Sequence, residues 1–214
     1  MAGLKELGKN RVEALTDGIY AIVLTLGVLT IDISELPPPG DNLDIYNSLT
    51  SIFPQILYYA IAFFVLISFW MAHHRMMDCI THVDNIFNWM NMVALFFVAL
   101  VPFTTDLMGY YDEYSLAVEI YAANLLVIGA LQTGLWYYIT SKGGFLKTNI
   151  SKEIILTSKL RGLACPIVAL IVMLYAWLIS AEQATILFLL IPVVSIILNR
   201  IIAAEIAEEN NMKA

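Results

Sequence analysis

The sequence predicts an all-α integral membrane protein with six spanning helices and both termini in the cytoplasm. Three observations predict it. First, 60% of the 214 residues are hydrophobic and only 14% charged, more apolar surface than one soluble core of this size can hide. Second, the apolar residues fall into six runs near the length that crosses a bilayer, roughly 20 residues for about 30 Å of hydrocarbon. Third, the basic residues segregate into alternate connections, as the positive-inside rule requires of an even number of crossings.

The helices are expected over residues 11–33, 52–75, 86–105, 117–139, 163–180 and 184–204, in one membrane domain spanning 1–214. The first is unusual. Between Asp17 and Asp32 it has only 14 uncharged residues, so it reaches spanning length only if Asp17, alone or together with Arg11, lies inside the bundle. The next five runs meet or approach spanning length without difficulty. Segment 34–51, containing Pro37-Pro38-Pro39-Gly40, and the acidic, tyrosine-rich 106–115 are expected as connections. The longest, 140–161, carries Gly143-Gly144 and reads as an interfacial segment, and the charged tail after Arg200 is expected to extend the last helix. Small-residue cleavage signals do not follow the basic N-terminus, so the first apolar run is expected to be retained. Cys79 and Cys165 match no disulfide or metal spacing.

Lys5, Lys9 and Arg11 precede the first run, and Arg75 follows the second. Lys142, Lys147, Lys152, Lys159 and Arg161 follow the fourth, and Arg200 and Lys213 close the list. The intervening loops carry Glu35, Asp41, Asp44, Asp106, Asp112, Glu113 and Glu182 instead. An acidic outer face raises the local cation concentration; the same residues also serve simply to solvate loops.

In the first helix, steps of three and four residues keep to one face. Gly18, Ile22, Thr25, Leu29 and Asp32 form such a stripe, which Arg11 and Leu15 continue inward. Facing an ion path, Ile22, Leu29 and the adjacent Leu26 are candidates for an apolar constriction that gates by dewetting. Thr25 offers a hydroxyl oxygen to a partly dehydrated cation, and Asp32 attracts cations at the outer mouth. Ordinary helix packing explains an aliphatic stripe equally well, and Thr often bonds its own backbone. Asp17 points about a quarter turn from the stripe. An intramembrane carboxylate needs a partner, since burial costs at least ~2.5–3.5 kcal/mol. Arg11, Trp70, His73, His74 and Arg75 fall at the same depth, and indole and imidazole both donate to a carboxylate.

Arg11-x-x-x-Leu15-Thr16-Asp17, together with Trp70-x-x-His73-His74-Arg75, resembles the transmembrane protein 175 family of endosomal and lysosomal potassium channels, in its prokaryotic six-helix form. The family motif has Phe and Ser where this chain has Leu15 and Thr16. The resemblance implies a potassium-permeable cation channel, not an enzyme, built as a homotetramer whose first helix lines a central pore. It implies no carbonyl-loop filter, and no Thr-Val-Gly-Tyr-Gly is present. It places the constriction at Ile22 with further pore layers at Thr25 and Leu29, and assigns potassium preference to Thr25. Arg11, Thr16, Asp17, Trp70 and His73 become the network that steadies the pore helix. Lipid, potassium ions and further copies of the chain are the expected partners, with neither cofactor nor nucleic acid.

Three other readings compete. His74, Asp78 and His82 stand at i, i+4 and i+8, a metal pattern only if the helix continues through what reads as a turn. No nucleophile-plus-base set suggests an enzyme. A proton channel or proton-coupled transporter is the main alternative, with Asp17 and His73 relaying protons, although internal repeats and interrupted helices are not evident.

Overall fold

The structure, a computed structural model, describes residues 8–31, 33, 36, 38–148, 150, 152–198 and 200. Among them, six helical stretches are long and apolar enough to cross a membrane: Lys9–Thr30, Phe53–Cys79, Asn85–Tyr110, Ser115–Lys142, Ile155–Leu178 and Ala181–Leu198. The chain is an all-helical, multi-pass membrane protein. Its elements are α1 (Lys9–Leu26), α2 (Asn42–Ser51), α3 (Phe53–Cys79), α4 (Asn85–Ala99), α5 (Val101–Tyr110), α6 (Ser115–Lys142), α7 (Lys152–Leu178) and α8 (Ala181–Ile186).

Several boundaries differ from expectation, each for a local reason. α1 starts at Lys9, and beyond Leu26 it tightens into a 3₁₀ turn, Gly27–Thr30. It stops short of residue 33, with Ile31 extended at φ −85° and ψ 99°. Tyr59 packs on this tightened end: a Cβ on Gly27 would lie 3.0 Å from its ring. Segment 34–51 is not all connection, because Asp41 accepts from the Asp44 N–H at 2.9 Å and caps the short helix α2. The third span breaks at Leu100 ahead of Pro102 and then continues as α5 through Asp106 to Tyr110. Thus Asp106 sits on a helix rather than in a loop. The 140–161 segment is also shorter than expected, since α6 runs to Lys142 and α7 begins at Lys152. The apolar run leaves out the polar first turns of α7. The expected tail helix after Arg200 and the residues Asp32 and Glu35 lie outside the described residues.

The basic residues Lys9, Lys142 and Lys147 meet at one end of the bundle. There the strand-like loops 80–84 and 143–147 pair through an Ile80–Leu146 bridge and the Lys147 N–H to Cys79 carbonyl bond. Gly143 and Gly144 make the required reversal at φ 73° and 79°, a region that excludes most side chains. The Lys9 ammonium donates to the Ile80 carbonyl at 2.9 Å, fastening the start of α1 to this end. Asp84 caps α4 by accepting from the Phe87 N–H at 2.9 Å and also receives Lys142 at 2.8 Å and the Tyr138 hydroxyl. Burial pushes the Asp84 carboxyl up, but Lys142, the Phe87 N–H and Tyr138 together hold it down at about 2.

The core is built where α3, α4, α6 and α7 meet, around Val65, Val98, Tyr121, Leu125 and Val172. α6 and α7 approach most closely at Gly129 and Gly162; an added Cβ would lie 2.9 Å from Pro166 and 2.7 Å from the Thr133 hydroxyl respectively. Small residues at such crossings let backbones pack where lipid offers no hydrophobic advantage. α1 lies at the margin of this bundle, against α3 and α4.

Candidate functional site

α1 has two chemically distinct faces. Val12, Thr16, Tyr20 and Val23 turn into the subunit and are buried. Four-residue and three-residue steps link them, as for any helix with one face inside. The opposite face is apolar and exposed: Ile22 is 58%, Leu26 47% and Leu29 73% accessible in the single chain. Arg11, Leu15, Gly18 and Thr25 share that exposed face. The Thr25 hydroxyl donates to the Ala21 and Ile22 carbonyls at 3.1 and 2.9 Å, so its proton is committed to the helix. A hydroxyl that donates in this way keeps acceptor capacity at its oxygen.

Three polar side chains on or beside the buried face tie α1 to the bundle. Asp17, half-buried, accepts from the Trp70 indole N–H on α3 at 2.8 Å. Thr16, fully buried, accepts from the Asn91 amide on α4 at 3.0 Å. Tyr20 accepts from the Gln132 amide on α6 at 3.0 Å, and the same amide reaches the Phe69 carbonyl. His73 is 3% exposed beside this group, within reach of Asn91 and near Asp17. Each bond satisfies a group that would be costly to leave alone in hydrocarbon.

The predicted residues therefore divide. Thr16, Asp17, Trp70 and His73 come together. Arg11 does not join them: it is exposed, and among the described residues it makes no hydrogen bond or ion pair with Asp17. It lies on the exposed Leu15–Ile22 face, on a different side of α1 from Asp17. Asp32, expected at the outer mouth, lies outside the described residues. Asn91, Tyr20 and Gln132 were not anticipated. An amide inside an apolar run was the available signal, since each such group needs a partner.

His74 lies outside the clasp. Its ring stacks on Trp70 at 5.6 Å and faces Glu13 at 3.9 Å and Asp78 at 3.6 Å. α3 does continue past His74 to Cys79, but His82 has turned away to stack on Phe145. Among the described residues no three His, Cys, Asp or Glu side chains gather to hold a metal.

Comparison with known proteins adds the following. Residues 11–102 match the sequence model of a family described as the endosomal/lysosomal potassium channel TMEM175. A protein from Streptomyces collinus named as a potassium channel is 29% identical over 63% of this chain and 66% of its own length. Another so named, from Chamaesiphon minutus, is 31% identical over 59% of this chain and 64% of its own. The chain thus spans just under two thirds of these relatives. The human TMEM175, named as an endosomal/lysosomal proton channel, is 33% identical over 45% of this chain and 20% of its length. The fold matches a crystal structure described as a lysosomal potassium-selective channel TMEM175 homolog from Chamaesiphon minutus. There the TM-score is 0.75 at 23% identity, over 88% of this chain and 96% of that one.

Proposed function

We propose that this chain, a member of the TMEM175 family, is one subunit of a potassium-permeable cation channel in the plasma membrane. Four copies set α1 around a central pore, with both termini and the basic end of the bundle in the cytoplasm. The single observation that carries this reading is the exposed face of α1. A spanning helix whose inner face is tied down by three polar bonds presents Ile22, Thr25, Leu26 and Leu29 away from its own bundle.

In such an assembly Ile22, Leu26 and Leu29 form apolar rings that narrow and dewet the conduit, and Thr25 contributes a ring of oxygen ligands between them. An ion crossing an apolar ring loses water, and the threonine oxygens partly replace it. Selectivity arises there rather than at a carbonyl loop. The bonds from Trp70, Asn91 and Gln132 hold the helix in rotation, so the rings keep their radius. The acidic outer loops concentrate cations before entry. Names of the bacterial relatives support potassium as the ion.

Proton conduction is the second reading, favoured by the proximity of Asp17 and His73 and by the name the vertebrate relatives carry. Purified protein in liposomes, offered potassium, sodium and proton gradients in turn, separates the two. Potassium flux that follows its own gradient without proton coupling is expected. Proton flux alone, or a strict proton-to-cation stoichiometry, refutes the potassium-channel reading.

A further inference from the structure

At the basic end, a cavity of about 60 Å³ opens between α3, α6, α7 and the last span, away from the exposed face of α1. At about 30 Å³ per water it holds roughly two water-sized groups. Arg75 and His73 line it. The Arg75 Nε is sealed from solvent with no hydrogen-bond partner, as is the His73 Nε2, and His73 is itself 3% exposed. Among the described residues no carboxylate pairs with Arg75 or bears on it electrostatically. The hydroxyls of Ser68 and Thr133 are committed to the Phe64 and Gly129 carbonyls at 2.8 and 2.7 Å. Ser158 and Ser195 add hydroxyls to the opposite wall.

We propose that this cavity is an anion site, sized for chloride and formed within each subunit, with Arg75 as its cationic anchor and the Ser158 and Ser195 hydroxyls as further donors. A guanidinium never loses its proton and only donates, so whatever complements it must accept hydrogen bonds. Water can accept, but it brings no counter-charge to Arg75, which is half-buried with its Nε sealed from solvent. The guanidinium repels metal cations from the same cavity. An anion satisfies the orphaned Nε and the charge together. The site stands whether or not α1 lines a pore.

Trp136 provides a reporter, since it lines the cavity and is 5% exposed. Iodide titrated against gluconate at constant ionic strength is expected to quench it saturably. Trp136→Phe removes that component, Arg75→Gln weakens the half-saturation roughly tenfold or more, and Arg75→Lys retains most of it. Quenching that stays linear in iodide, or that survives Arg75→Gln unchanged, overturns the site. Bromide-soaked crystals of the unmodified chain provide a test that does not depend on variant folding. An anomalous peak beside Arg75 is expected, and an empty cavity or a protein carboxylate seated on Arg75 refutes the proposal.

Discussion

Trp70 donates its indole N–H to Asp17 across 2.8 Å, joining the middle of α3 to α1 where α1 would otherwise bring a bare carboxylate into the bilayer. That bond lets a helix with only 14 uncharged residues between its two aspartates serve as a full span. It also sets the rotation of α1, because Asp17 must face α3 while the Ile22–Leu29 face turns away.

Trp70→Phe is therefore expected to destabilise the protein by about 1.5–3 kcal/mol, the usual cost of losing a hydrogen bond to a charged group. Thermal unfolding in detergent measures it. Pairing Trp70→Phe with Asp17→Asn should add much less than the sum of the two single losses. Strict additivity would mean the bond contributes nothing.

Thr16 is fully buried against the Asn91 amide. Thr16→Val keeps the shape but strands the Asn91 amide and should cost about 1–3 kcal/mol. Thr16→Ser keeps the acceptor and should cost less than Thr16→Val. Equal losses for the two would show that packing rather than the hydroxyl matters there.

Ile22→Ala widens and wets the proposed narrowest ring. Potassium flux through reconstituted protein should rise severalfold, with unfolding temperature little changed because Ile22 is 58% exposed in the subunit. An unchanged flux moves the constriction elsewhere on α1.

Thr25→Val removes the side-chain oxygen while preserving volume, and Thr25→Ser preserves the oxygen. Reversal potentials under mixed potassium and sodium should shift toward zero preference in the first and hold in the second. If both variants keep the parent's preference, Thr25 is not where ions are compared.

The Asp84 clasp predicts a pH signature. Its carboxyl is held at about 2 when folded, below the unfolded value of about 3.9. A depressed folded value contributes stability above the unfolded pKa, and that contribution is lost as pH falls through the folded one. Asp84→Asn should therefore unfold at lower temperature than the parent at pH 7, and the gap should close between about pH 4 and pH 2. A gap independent of pH across that window would remove the charge from the account.

Much of the architecture was legible in order of residues alone, for a specific reason. Hydrocarbon cannot hydrogen-bond a backbone, so spans must be helical, apolar and long enough, and those properties are written locally in runs such as 52–72 and 117–139. The alternation of basic and acidic connections is equally local. The stripe of Gly18, Ile22, Thr25 and Leu29 on α1 followed from periodicity, and the buried face of Val12, Thr16, Tyr20 and Val23 opposite it came from the structure. The inward placement of Asp17 was forced by length.

Pairing was not legible in the same way. Which helix supplies the partner for Thr16 or Tyr20 depends on how α4 and α6 pack against α1. Asn91 and Gln132 lie 75 and 112 residues away along the chain. The departure of Arg11 from Asp17 and the early start of α7 were decided in the same way, by side-chain direction and packing rather than by hydropathy. Sequence determined which segments are apolar enough to enter the membrane and where the aliphatic stripe of α1 lies, since those follow from the character of each residue in turn. Only the tertiary structure decided which polar groups meet, since a hydrogen bond needs two atoms within about 3 Å, and only the folded bundle brings distant residues that close.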